Sequence, residues 1–240
     1  YQTSGNIAVS DEDALKFAEI SLALNLNSEE PKTLINFLKH KTDQDIDSHE
    51  ILRLKALIRR SESLAATRYL GLEDSSVHFL NLPFYETGTV KKNNITPADL
   101  DIMCKLIEDI KPHQIYAAGD LADPHGTHKV CLNVLFDSLE VLKNRTYMED
   151  CWVWLYRGAW HEWEPYQIEM AVPMSPDQVL KKRHAIFYHQ SQKDGVMFQG
   201  DDNREFWVRV EDRNRLTAKR YNDLGLADYA AIEAFKRYHF

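Results

Sequence analysis

The stretch Gln114–Val130 constrains this chain more than any other. QIYAA reads as a short strand, the following run is polar and Gly/Pro-containing, and an apolar helical pattern then begins. A strand that leaves through a polar loop into a helix is the unit of an α/β domain. Such a domain keeps its chemistry in the crevice beyond the carboxyl ends of its strands. The loop is LADPHGTHKV, with His125 and His128 at its junction with the helix. Asp123 suits the N-cap and Pro124 the first helical position. On a helical turn His125 and His128 would share a face. A helix N-terminus disfavours imidazolium and so keeps a histidine neutral, ready to bind a metal. A hydrolytic zinc needs three protein ligands and an open position, which two histidines do not complete. A polar loop whose histidines only hydrogen-bond reads equally well.

The remaining elements alternate in the same way. Ser10 caps a helix running to Leu26, and Pro31–His40 forms a second. Lys41–Glu50 is Asp-rich and reads as a solvated loop. Ile51–Leu70 is a long helix stopped by Gly71. Val77–Leu82 is predicted as a strand, followed by a polar loop with Tyr85, Glu86 and Gly88 that suits an active-site rim or nothing more. Thr96-Pro97 opens a helix to about Ile110. After Gln114–Ala118 come a helix over about Lys129–Lys143 and strands at Cys151–Tyr156 and Ile168–Val172. Helices from Ser175 to about Gln192 and over Glu205–Leu224 follow, and Ala227–Tyr238 closes as an amphipathic helix. The expected fold is α/β: a Rossmann-like three-layer sandwich with a mostly parallel sheet and helices on both faces. One domain over residues 1–240 is the simplest arrangement.

Composition narrows the partners. A formal charge of −8 without a basic stripe argues against nucleic acid. No run of 18 uncharged apolar residues predicts a membrane span. Cys104, Cys131 and Cys151 lie in apolar surroundings without CxxC spacing, which reads as buried reduced thiols of a cytoplasmic protein. No P-loop, GxGxxG or GxSxG is present. His184, His189 and His161 read as packing, the last beside Trp160 and Trp163. Arg59 reads equally as a substrate-binding fork and as an ion pair with Glu62 or Glu50.

Several of these pieces together carry a resemblance. DPHGTH after a strand is similar to the Asp-x-His-x-x-His motif of the LmbE-like, N-acetylglucosaminyl-phosphatidylinositol de-N-acetylase superfamily. IRRSESLAATRYLG (Ile58–Gly71) resembles that family's Arg-x-x-Glu helix, and VHFLNLP (Val77–Pro83) the strand after it. TSGN (Thr3–Asn6) resembles the loop after the second strand, and HAIFYHQSQ (His184–Gln192) the late His-x-Ser-Gln helix. With NDLGLADYAAIEAFKRYHF, the chain looks like the domain that follows the deaminase domain in proteins named glucosamine-6-phosphate deaminase.

The resemblance implies zinc-dependent amide hydrolysis of an N-acetylglucosamine-type substrate, free or phosphorylated. His128 would be a zinc ligand, His125 would stabilise the tetrahedral intermediate, Asp123 would orient its neighbour and Arg59 would reach the sugar or its phosphate. The family's His-Pro-Asp-Asp motif, source of two further ligands and the base, does not occur in the 240 residues. It is expected upstream of Tyr1, within roughly 30 residues, the length of one strand–helix unit; the domain is thus expected to be truncated at its N-terminus. Two other expectations stand beside this one. Isomerising deamination of glucosamine 6-phosphate would occur in a domain outside the chain, or the chain would be a non-catalytic domain for sugar binding or homo-oligomer contacts.

Overall fold

Ser10 opens the first helix as its sequence predicts, its Oγ accepting from the Asp13 N–H at 3.0 Å. The computed structural model of the protein describes residues 1–24, 26, 29–42, 44–119, 126–158, 161–192 and 204–240. Its contacts divide the chain into two compact units. One is built from Tyr1–Asn81, Tyr85–Lys92 and Phe187–Met197, the other from Leu82–Phe84, Asn93–Ile186 and Phe198–Phe240.

The first unit is helical. It contains α1 (Asp11–Ala23), α2 (Glu29–His40) and α3 (His49–Leu70). Ala14, Ala18, Leu34, Leu38 and Ile51 form its apolar cluster. Ser48 caps α3, and Gly71 ends it at φ 95°, a conformation that glycine adopts without a Cβ clash. The Asp-rich segment before α3 is only partly the solvated loop expected. Lys55, 4% exposed, reaches both Asp11 and Asp47 at 2.6 Å, so Lys55 ties α3 to the start of α1 and to the Asp47 segment. Val77–Leu82 forms no strand. Its backbone pairs with Tyr1, which donates its amine to His78 O at 2.7 Å and accepts from Leu80 N at 2.9 Å, while Val77 N donates back to Asp74 O at 3.1 Å. Asn81 at φ 46° then turns the chain away, so no ladder forms.

The second unit carries a four-stranded sheet with helices packed on it, the α/β class expected. The order is β1 (Gln114–Ala118), β2 (Trp152–Tyr156), β4 (Ala231–Tyr238), β3 (Met170–Met174). β1 and β2 are parallel, with Tyr116 opposite Trp154. β4 runs antiparallel to both β2 and β3, so the described sheet is mixed where strand–helix alternation predicted mostly parallel strands. The helices of this unit are α4 (Pro97–Ile110), α5 (Thr127–Leu142), α6 (Pro176–Phe187) and α7 (Phe206–Asp223). Thr96 opens α4 with Pro97 first, as expected; Asp99 accepts from Thr96 N at 2.9 Å and Thr96 Oγ1 at 2.7 Å, and also from Phe84 N at 2.9 Å. α5 buries Leu132, Val134, Leu135, Leu139 and Leu142.

The C-terminal segment expected as a helix is strand β4. Its Ala, Glu and Lys content favours a helix in isolation, but Ala231, Ile232 and Ala234 are buried once the segment lies between β2 and β3. Glu233, on the face opposite Ile232 and Ala234, joins a charged network. It accepts from Lys182 of α6 and, at 2.5 Å, from Arg213 of α7. Arg213 also donates to Glu162 at 3.1 Å, and Glu162 accepts from Thr217 at 3.0 Å. Burial would raise the Glu233 pKa, but Lys182 and Arg213 outweigh it and hold the carboxyl below its ordinary value. The three described cysteines are free thiols, and burial raises Cys104 and Cys151 so that they stay protonated. No helix among the described residues is long and apolar enough to cross a membrane.

Glu233→Ala should cost about 3–5 kcal/mol at pH 7, the scale of leaving buried partner charges uncompensated. Because the folded pKa of Glu233 is lowered, its stabilisation is present above the unfolded value and lost as pH falls through the folded one. Urea unfolding at pH 7 and at acid pH should therefore show the gap between wild type and variant narrowing in acid.

Candidate active site

β1 delivers the chain to the loop through Gly119. Its N–H donates to Tyr156 O at 2.7 Å, one residue beyond the β1–β2 ladder. A Cβ at Gly119 would lie 2.8 Å from Leu155 Cβ and 3.1 Å from the Trp163 ring, so the exit closes only around glycine. Trp163 is buried and donates its Nε1–H to Leu155 O at 3.1 Å, the packing role expected of it. The Arg157 guanidinium lies over the Trp163 ring, 4.0 Å from its centroid.

α5 begins at Thr127 with Gly126 as its N-cap at φ 69°. The expected cap at Asp123 and first position at Pro124 lie outside the described residues, as does His125. His128 is the second residue of α5 and is exposed in its first turn. Among the described residues no three His, Cys, Asp or Glu side chains converge as a metal site. His128 is thus the one proposed zinc donor whose position is described.

Arg59 belongs to the helical unit, on α3. It pairs with Glu62, Nη1 donating to Oε2 at 3.1 Å, while its Nε is buried without a partner among the described residues. Thr3–Asn6 passes over it: Gly5 stands at φ 68°, and a Cβ there would lie 3.0 Å from Arg59 Nε. Asn6, 3% exposed, donates to Glu86 at 3.2 Å, which brings the expected rim loop to the same place. A cavity of ≈ 290 Å³ opens beside these residues, with Tyr1, Ser4, Gly5, Arg53, Arg59 and Arg60 on its wall.

Two residues of the His-x-Ser-Gln segment, to which the sequence assigned no specific role, belong to this cluster. Ser191 donates to Glu62 twice, from N at 2.6 Å and from Oγ at 2.8 Å. His189 has a buried Nδ1 without a partner among the described residues. Burial, and then the Arg59 charge, lower its pKa against the opposing pull of Glu62, which keeps the ring neutral. The only signal for either residue was the His-x-Ser-Gln pattern. His184 and His161 are exposed, and Glu162 is committed to Arg213 and Thr217.

No protein-family model matches the chain. It is 49% identical over 249 aligned positions to a putative glucosamine-6-phosphate deaminase-like protein of Bacteroides thetaiotaomicron. The match covers 99% of this chain and 38% of that protein, so the chain spans well under half the length of its curated relative. Its fold is similar to that of GalB, the 4-carboxy-2-hydroxymuconate hydratase of Pseudomonas putida, at a TM-score of 0.55 and 16% identity over 99% of this chain and 93% of that one. A looser likeness, at a TM-score of 0.48 and 18% identity, covers 82% of this chain and 68% of the N,N'-diacetylchitobiose deacetylase of Pyrococcus horikoshii.

Gly119→Ala should destabilise the fold by about 1–3 kcal/mol, the usual cost of forcing an extra methyl into a packed site. Thermal unfolding measures it, and an unchanged midpoint would contradict the tight exit drawn from β1. Over almost its whole length the chain is thus similar to part of a longer protein named glucosamine-6-phosphate deaminase-like.

Proposed function

We propose that the chain is the amide-hydrolase part of a longer amino-sugar protein and removes acetyl from an N-acetylglucosamine-type sugar or its phosphate. The observation that carries this reading is DPHGTH at the β1–α5 junction, in a chain 49% identical to part of a protein named for glucosamine 6-phosphate. Arg59 binds the sugar or its phosphate through donors that its pairing with Glu62 leaves unused. His125 donates to the carbonyl oxygen as charge develops there, and Asp123 orients its neighbour. Zinc is the cofactor the reading implies, with His128 as one ligand. The described residues alone do not form its site.

The relative's name favours a second reading. In it, isomerising deamination of glucosamine 6-phosphate takes place in a part of the polypeptide outside these 240 residues, and this domain binds sugar or joins subunits. A cytoplasmic, homo-oligomeric protein fits both readings.

One experiment separates the two. The full-length protein is assayed for acetate released from N-acetylglucosamine 6-phosphate and for ammonia released from glucosamine 6-phosphate. Acetate release is expected, with bound zinc on metal analysis. His128→Ala should lose the zinc. His125→Ala should lower kcat roughly 100-fold or more, the scale of removing an oxyanion donor. Arg59→Ala should raise KM about tenfold or more, as expected for a lost hydrogen bond to a charged group. Ammonia without acetate would favour the second reading, and zinc unchanged in His128→Ala would remove that residue's role.

A further inference from the structure

An arginine and a glutamate three apart on an exposed helix usually contribute little to one another. Arg59 and Glu62 are not such a pair. Glu62 is 9% exposed and both its oxygens are engaged. Oε2 accepts from Arg59 Nη1 at 3.1 Å and from Ser191 Oγ at 2.8 Å, and Oε1 accepts from Ser191 N at 2.6 Å. Ser191 lies in the short turn Gln190–Gln192, whose Gln192 Nε2 donates to Ala8 O at 2.8 Å. That turn is therefore tied to the segment just after Gly5. The 3.0 Å between Arg59 Nε and the place of a Gly5 Cβ shows how closely the backbone presses on the guanidinium from another direction. Burial and the Arg59 charge lower the pKa of His189, two residues before Ser191, which disfavours a second positive charge beside Arg59.

We infer that Glu62 is a positioning residue. With the Ser191–Gln192 turn as its second arm, it holds the Arg59 guanidinium against the Gly5 loop, on the wall of the cavity, as a donor for an oxygen of the substrate. The inference rests on Arg59 being the substrate-binding arginine. An arginine side chain is long and loses much rotamer freedom on binding, and a carboxylate that fixes it beforehand removes that loss from the binding step. Ser191 fixes the carboxylate in its turn, which gives the His-x-Ser-Gln segment a role at the site.

The test uses the full-length protein labelled with 15N at arginine Nε, with Arg59→Lys assigning the Arg59 signal. In the wild type the Arg59 Nε–H should exchange slowly with solvent. In Glu62→Gln and in Ser191→Ala its exchange should quicken about tenfold or more, the change that corresponds to losing a charge-assisted hydrogen bond. Should Glu62→Gln fail to fold, Ser191→Ala reads the same signal with the carboxylate still present. Equal protection in wild type and in the folded variants would overturn the inference, whatever the protein's activity. Kinetically, Glu62→Gln should raise KM for N-acetylglucosamine 6-phosphate about tenfold to a hundredfold with kcat nearly unchanged. The Glu62→Gln, Arg59→Lys double variant should be little worse than Arg59→Lys alone, and additive losses would overturn the inference. Quickened exchange in a protein that releases no acetate would sink the hydrolase reading and leave the positioning of Arg59 standing.

Discussion

A carboxylate taken out of water costs several kcal/mol unless donors replace its hydration, and two such carboxylates key this chain. In the helical unit Glu62 collects one donor from its own helix and two from a turn 129 positions away. In the sheet unit Glu233 collects Lys182 from α6 and Arg213 from α7, while Arg213 engages Glu162. Apolar burial is indifferent to which of several close packings is adopted, whereas these networks are satisfied in only one. They act as locators on top of cores built from Ala14, Leu34 and Ile51 in one unit, and from Val153, Leu139 and Ile232 in the other.

The elements legible in the sequence are those specified by neighbouring residues. Ser10 and the Thr96-Pro97 pair mark helix starts because the capping interaction is local. Gly71 marks a stop because a left-handed φ is a local requirement. The misread elements are those decided at a distance. Ala227–Tyr238 carries helix-forming residues and becomes β4 because β2 and β3 each offer it an edge. Val77–Leu82 has strand character, yet a ladder needs a second strand and the described chain offers only Tyr1.

The candidate site divides in the same way. Arg59 stood out because a planar fork three residues before a glutamate suggests either recognition or an ion pair; the ion pair is present, and Nε remains unused. Ser191 and His189 could not be placed from local pattern, since their contacts with Glu62 and Arg59 depend on how the chain returns. Gly119 was visible only as part of a strand end, and its need for glycine comes from Leu155 and Trp163. The likeness of fold to a hydratase at 16% identity shows why fold alone does not assign the chemistry. The hydrolase reading therefore stands on the residues of the β1–α5 junction and on Arg59.

The most direct measurement is a crystal structure of the full-length protein with glucosamine 6-phosphate, the product that de-N-acetylation of the phosphorylated sugar would leave. If the account is right, the sugar or its phosphate lies within hydrogen-bonding distance of the Arg59 guanidinium, with Glu62 still on Nη1. Glucosamine 6-phosphate bound elsewhere in the polypeptide, with Arg59 contacting no part of it, would contradict the account.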